Sequence, residues 1–224
     1  MFSANSRQYI TCFALLLLTL CIRATANAPD GWREVVFEGE TRYRLSERGC
    51  WRARADNSAS GLVREGAVEV ARTPWLNWRW RAPAIPDWPA VDERGKDGDD
   101  FLARVYVIRK GWVPWRTRAI NYVWSRNHSP GEHWPNPFAD QAHMVVVQGP
   151  QGDDQNTPTG AWHAFSRDVV ADFKRFHGID VDQVDAVAIM TDTDNTGVVA
   201  QACYELPEFL SQPPDSAVAV AKGD

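Results

Sequence analysis

Two short stretches carry the side chains best suited to chemistry. KDGDDFLARVYVIR (96–109) sets Asp97, Asp99 and Asp100 ahead of an alternating run, and TDTDNTG (191–197) supplies Asp192 and Asp194. Two carboxyl groups held about 5–10 Å apart can act as acid and base on a glycosidic bond. The same carboxylates can instead be taken up by arginine, whose planar fork matches a carboxylate. Arg79 and Arg81 in LNWRWRAP and Arg104 in the first stretch are the arginines at hand. Asp99, Asp100, Asp192 and Asp194 are therefore expected to meet Arg79, Arg81 and Arg104 on one sheet. They would form an ion-pair ladder there, or a polar cleft if a concavity leaves some unpaired. Tyr122, Trp124 and His143, from other strand runs, join this candidate ligand-binding face.

The second candidate is aromatic. The chain has 11 tryptophans, and flat indole rings can stack on sugars. Trp78 and Trp80 alternate with arginines, as core residues of a half-buried strand do. Trp88, Trp112, Trp115 and Trp134 sit among Pro, Gly and charged residues in IPDWPA, KGWVPW and GEHWPNP, where loops would display them as an aromatic platform or pack them as lids.

Other chemistries find less support. TDTDNTG opens like a calcium loop, but the glycine and distal glutamate of a helix-loop-helix site are misplaced. Turn chemistry suits the segment as a hairpin connection, with Asp192 projecting from the strand end. His128, His133, His143, His163 and His177 lack the close pairing of a zinc helix, so no metal is expected. No Gly-x-Ser-x-Gly elbow is present, and no pattern asks for a cofactor.

The elements that must position these residues are mostly strands. Period-two alternation recurs in WREVVFE (32), TRYRLS (41), CWRARA (50), GAVEVA (66), LNWRWRAP (76), FLARVYVI (101), INYVWS (120), HMVVVQ (143), AVAIMT (186) and GVVAQACYEL (197). Short strands separated by turn-rich loops predict an antiparallel β-sandwich. One helix is expected over 167–177, capped by Ser166 and ended by Gly178, with Val169, Val170, Phe173 and Phe176 on one stripe.

The ends read differently. Arg7, the apolar run from Ile10 to Ile22 and the small residues after it describe a signal peptide over 1–26. Leu20 stands before Cys21, where lipid attachment calls for a small residue, so a lipid anchor is the lesser alternative. Cleavage near Ala26 would place the chain in the periplasm or outside the cell, with no membrane span left. It would lower Lys+Arg from 24 to 22 against 29 Asp+Glu, a net charge of −7. That balance argues against nucleic acid as a partner. Residues 211–224, with two prolines and small residues, are expected as a loose tail, which leaves 27–210 for one sandwich domain. Of the cysteines that remain, Cys50 and Cys203 are an even pair. One disulfide between them is expected, two buried thiols being the alternative. Cys50 would share a face with Arg52 and Arg54, and Cys203 with Gln201 and Glu205, a polar setting for both.

LNWRWRAP, DGDDFLARVYVI, INYVW, SRDVVADFKRFHG and AVAIMTDTDNTG, in this order, resemble the secreted bacterial family catalogued as domain of unknown function 3047, over about residues 32–209. The resemblance transfers no catalytic residue. In outline it is similar to galactose-binding-like jelly rolls, which implies that the helix covers an edge or an end of the sandwich. The expected function is a non-catalytic saccharide- or polyol-binding domain. A hydrolase or lyase using paired carboxylates and an envelope structural or assembly factor are the alternatives.

Overall fold

The computed structural model describes residues 28–150 and 159–214. The signal-peptide segment 1–26 and residues 215–224 of the expected tail lie outside them. The described elements are β1 (Trp32–Glu38), β2 (Arg42–Leu45), β3 (Trp51–Asp56), β4 (Ala59–Val68), β5 (Trp75–Arg81), β6 (Arg104–Arg109), β7 (Arg118–Trp124), β8 (His133–Pro135), β9 (Ala142–Gln148), β10 (His163–Asp168), α1 (Val169–His177), β11 (Val184–Asp192) and β12 (Val199–Leu210). They form a β-sandwich. One sheet runs β1-β4-β11-β6-β7-β9-β8 and the other β10-β5-β12-β3-β2. Pairing is antiparallel except between β7 and β9, which are parallel.

Alternation explains which side chains lie between the sheets. Trp78 and Trp80 of β5 meet Tyr122 and Trp124 of β7 across the core: Trp78 stacks on Tyr122 at 5.2 Å between centroids, and Trp80 on Trp124 at 6.3 Å. Each large ring withdraws about 150–250 Å² from water. Some polar atoms in this layer are partnered, the Trp80 indole N–H donating to Gln148 Oε1 at 2.5 Å and the Tyr204 hydroxyl to the Met190 carbonyl at 2.6 Å, whereas the indole N–H groups of Trp78 and Trp124 are buried without a hydrogen-bond partner among the described residues.

The helix begins two residues later than expected. Ser166 and Arg167 are still in β10, and Asp168 caps the helix by accepting from the Ala171 N–H at 3.0 Å. The competing signal is the pairing of β10 with β5, which extends to Asp168 opposite Trp75 and holds Ser166 in the ladder. Gly178 ends the helix at φ 68°, and α1 buries Val169 and Phe173 over the β10 edge. Residues 193–198 are not a hairpin: β11 and β12 belong to different sheets, so this segment is a corner of the sandwich. Close approach fixes another corner, where a Cβ on Gly149 would lie 2.1 Å from the His128 carbonyl oxygen.

Cys50 and Cys203 are joined by a disulfide with Cα atoms 5.7 Å apart. Cys203 lies on the outer face of the five-stranded sheet, yet both cysteines are buried rather than displayed among polar side chains. The loop before β3 folds over them, held by the Ser46 N–H donating to the Cys50 carbonyl at 2.8 Å.

Candidate functional site

The outer face of the seven-stranded sheet divides into a roofed polar end and an open apolar end. At the polar end, β6 turns Val105 and Val107 into the core and therefore Arg104 outward. Segment 93–103 folds back over it, laying the Phe101 ring 4.5 Å from the guanidinium. β11 ends beside it with Asp192, whose Oδ1 accepts from Arg104 Nε at 2.8 Å and from the Phe101 N–H at 3.1 Å. Arg104 Nη2 completes the fork on Asp192 Oδ2 and also reaches the Asp99 carbonyl. Asp99 Oδ2 accepts from Asn136 Nδ2 at 2.9 Å, and its Oδ1 lies 3.7 Å from Arg104 Nη1. Asp100 is held from the sandwich corner by the Asn195 N–H (3.2 Å), the Thr196 N–H (2.7 Å) and the Thr196 hydroxyl (2.6 Å). Asp99, Asp100 and Asp192 are 4%, 0% and 2% exposed.

A second buried acid anchors the roof. Glu93 takes hydrogen bonds from the Ser125 hydroxyl and, at 3.0 Å, from the Arg126 N–H, and it pairs with the Arg126 guanidinium at 3.2 Å. Arg126 in turn donates to the Asp100 and Gly98 carbonyls and lies over the Trp88 ring at 4.7 Å. Nothing in local patterning marked Glu93, Arg126 or Asn136, because their partners are distant in sequence.

Burial governs the electrostatics here. It pushes the Asp99 carboxyl up to about 6 against the pull of Arg104. It also raises Asp194 to about 6, helped by the charge of Asp100. For Arg104, burial works against the charge, and Asp192, Tyr106 and Asp99 outweigh it, so the guanidinium stays charged. Asp100, Asp192 and Asp194 bring oxygens within 4.8 Å of one another, a spacing at which a hard cation can be shared. The Asp100 and Asp192 oxygens accept the donors named above, while Asp194, half-buried, accepts from Asn195 Nδ2 at 3.4 Å.

A sign follows for Asp194. Its folded-state value lies above the usual carboxylate value near 3.9, so the fold disfavours its charge at neutral pH and recovers that cost as pH falls through about 6. His143, lowered to about 4, and His177, also lowered, oppose this because burial disfavours their protonation. The two trends oppose each other in the wild type, and a difference at Asp194 isolates one of them. Asp194→Asn is expected to be more stable than wild type by about 1 kcal/mol at pH 7.5, with the gap roughly halved at pH 5 and closed below about pH 4. Urea midpoints at these pH values check this.

The remaining predicted residues are not gathered at this network. Arg79 and Arg81 lie on the outer face of the other sheet, where Arg79 pairs with Glu205 at 3.0 Å and both flank the Trp162 ring at 5.1 and 5.0 Å. β5 and β6 are neighbours in sequence but belong to different sheets, so their arginines cannot share a face. Tyr122 and Trp124 are in the core, the Tyr122 hydroxyl donating to Asp172 Oδ2 at 2.8 Å. His143 packs against Phe176 of α1, with its Nε2 2.9 Å from His133 Nδ1. Of the four loop tryptophans, Trp134 is 7% exposed against Phe101, Val123, Met144 and Val146, and Trp88 is half-buried beneath Arg126. Neither is on display. Trp112 and Trp115 are, at 93% and 65% exposure.

Those two tryptophans stand in the loop that borders the open end of the same face. An apolar groove runs there, with Val35 and Phe37 on one side and Pro114 and Thr117 on the other. Its floor is lowered by small residues set opposite large ones: Ala186 lies opposite Ile108 and Ala188 opposite Tyr106, while Gly61 lies opposite Met190. A charged pair, Glu65 and Lys110 at 3.0 Å, closes one end. Tyr106 links groove and network, its hydroxyl accepting from Arg104 Nη1 at 3.2 Å.

The family description "Protein of unknown function (DUF3047)" matches residues 30–206. No curated protein matches the chain in sequence. Among solved structures it is similar to a family 11 carbohydrate-binding module from Clostridium thermocellum, in complex with a beta-1,3-1,4-mixed-linked tetrasaccharide, at 12% identity, covering 82% of this chain and 90% of that one with a TM-score of 0.41. It is also similar to the xyloglucanase domain of a type three effector from Sinorhizobium fredii, in complex with cellobiose, at 10% identity over 83% and 96% of the two chains with a TM-score of 0.43. A family 12 glycoside hydrolase matches at 8% identity over 82% and 95%, with a TM-score of 0.48.

Proposed function

Because the chain belongs to the DUF3047 family, whose description assigns no function, we propose its role from its own surfaces: an exported, non-catalytic domain that binds a saccharide or similar polyol in the groove of the seven-stranded sheet. The observation that carries this is the pair Trp112 and Trp115, the two most exposed large apolar side chains among the described residues, on the loop that borders that groove. An indole left in water forgoes several kcal/mol of burial, and a stacked sugar face recovers part of it. Glu65, Lys110 and Thr117 stand in reach of the hydroxyls around such a ring.

The same geometry favours binding over hydrolysis. Of the carboxylates proposed for acid and base, Asp99, Asp100 and Asp192 are committed to Arg104, Asn136, Asn195 and Thr196 under the roof, and the half-buried Asp194 stands beside them rather than across the groove from a second free carboxylate. The buried disulfide and the sequence of residues 1–26 support an exported setting.

Affinity electrophoresis through gels containing peptidoglycan fragments or neutral exopolysaccharide tests the assignment. Retention should weaken at least tenfold in Trp112→Ala and in Trp115→Ala, with thermal stability unchanged, since both side chains are on the surface. Absence of retention by every saccharide, where a control lectin is retarded, removes the proposal.

A further inference from the structure

The outer face of the five-stranded sheet carries a different feature. β2 places Arg44 opposite Arg52 of β3, Arg52 lies opposite Cys203 of β12, and Cys203 lies opposite Arg81 of β5. One row across four strands is thus Arg, Arg, Cys, Arg, and Arg48 is added by the loop between β2 and β3. Around these side chains opens a cleft of about 570 Å³, lined by Arg44, Leu45, Ser46, Glu47, Arg48, Arg52 and Arg81. Glu47 is the one acid in that lining, which leaves a surplus of three positive charges.

This surplus is unusual in a chain of net charge −5. Two other arginines of the same sheet are neutralised: Arg54 pairs with Asp56 at 2.8 Å and Arg79 with Glu205 at 3.0 Å. Among the described residues no ion pair engages Arg44, Arg48, Arg52 or Arg81. Like charges directly opposite each other on adjacent strands destabilise a sheet, so the Arg44 and Arg52 pairing has a cost that the fold itself does not offset. A bound anion would offset it. The cleft is also braced, because Cys203 lies beneath its centre and the disulfide to Cys50 ties down the loop that carries Arg48. The Cys50 N–H donates to the Ser46 hydroxyl at 3.2 Å, which fixes that loop further. Trp162 flanks the cleft, stacked with Arg81 at 5.0 Å.

We propose that this cleft is a second ligand site, separate from the groove on the opposite sheet, for a soluble ligand bearing two or more oxyanion groups, carboxylate, sulfate or phosphate. Guanidinium forks take such groups in pairs of parallel hydrogen bonds. A volume of about 570 Å³ falls in the range of clefts that enclose one small organic ligand, so the ligand is short, of one or two sugar units where the oxyanions are borne on a saccharide. The proposal does not depend on saccharide binding in the groove.

Isothermal titration of the protein with digalacturonate, with a doubly sulfated disaccharide and with pyrophosphate reads the site directly, and phosphatidylglycerol vesicles in a parallel assay separate a lipid headgroup from a soluble source. Binding of at least one soluble probe is expected, weakened at least tenfold by Arg48→Glu and by Arg52→Glu, two exposed positions. Lys174→Ala, which removes a positive charge that faces Asp180 on α1, should leave the affinity unchanged. Three results would each overturn the proposal: no heat with any soluble probe, equal affinity in wild type and both arginine variants, or a loss in Lys174→Ala matching that in Arg52→Glu. Vesicle binding without a response to any soluble probe would overturn it as well.

Discussion

Replacing Cys50 and Cys203 by serine is expected to cost the fold about 5 kcal/mol. The two residues are 153 apart in sequence, and in the chain-entropy account a closed loop of that length removes about this much free energy from the folded state's advantage when it is opened. The bridge joins the loop before β3 to the central strand of the five-stranded sheet, so its loss also frees one wall of the arginine cleft. With a urea slope of about 2 kcal/mol per M, the midpoint should fall by about 2 M. Where the double variant does not accumulate, wild type with and without reductant gives the same comparison. A midpoint shift below about 0.5 M would show that the bridge constrains little.

Arg104→Met is the second large effect. The methionine leaves Asp192 without its fork and Asp99 without its nearest cation, in a site where both carboxyls are almost fully buried. Removing one partner of a buried pair typically costs about 3–5 kcal/mol, most of it the penalty of the orphaned charge. Two further results follow from that cause. Adding Asp192→Asn to Arg104→Met should restore more than half of the loss, and the loss should shrink as pH falls and the abandoned carboxyls take up protons. Chemical denaturation of the two variants at pH 7.5 and 5 checks both. An Arg104→Met protein as stable as wild type would mean that the network contributes nothing to the fold.

Much of the architecture was legible because alternation reports directly on strand faces. Trp78 and Trp80 point into the core as LNWRWR suggests, and the helical stripe of Val169 and Phe173 is the buried one. Two strands escaped because their composition hides them. The first half of β4, Ala59 to Glu65, begins with small residues, and β10 mixes His, Ser, Arg and Asp at a sheet edge. β8 is only three residues long. Tertiary context supplied what propensity did not.

The site was legible in pieces. Arg104 was expected to find a partner among Asp99, Asp100, Asp192 and Asp194, and it engages Asp99 and Asp192. Alternation says which residues share a face but not which sheet a strand joins, so Arg79 and Arg81 were assigned to the wrong surface. Proline and glycine neighbours put all four loop tryptophans in loops, displayed or packed as lids, and could not say which; Trp134 sits in a three-residue strand whose pairing with β9 buries it. The groove left no motif, since it is made of absences: Gly61, Ala186 and Ala188 are simply small where β4 and β11 pair. RYRL and WRAR did carry a signal for the arginine cleft, in arginines that alternate with apolar residues on two strands that pair.

The account rests on the groove and its exposed tryptophans, and the indole N–H resonances of the 11 tryptophans report on it residue by residue. In a titration of the ¹⁵N-labelled mature protein with the saccharide it retains best, Trp112 and Trp115 should shift progressively and saturate together. The core rings of Trp78, Trp80 and Trp124 should stay in place. Saturable binding that leaves Trp112 and Trp115 unmoved, or that shifts Trp162 alone, would contradict it.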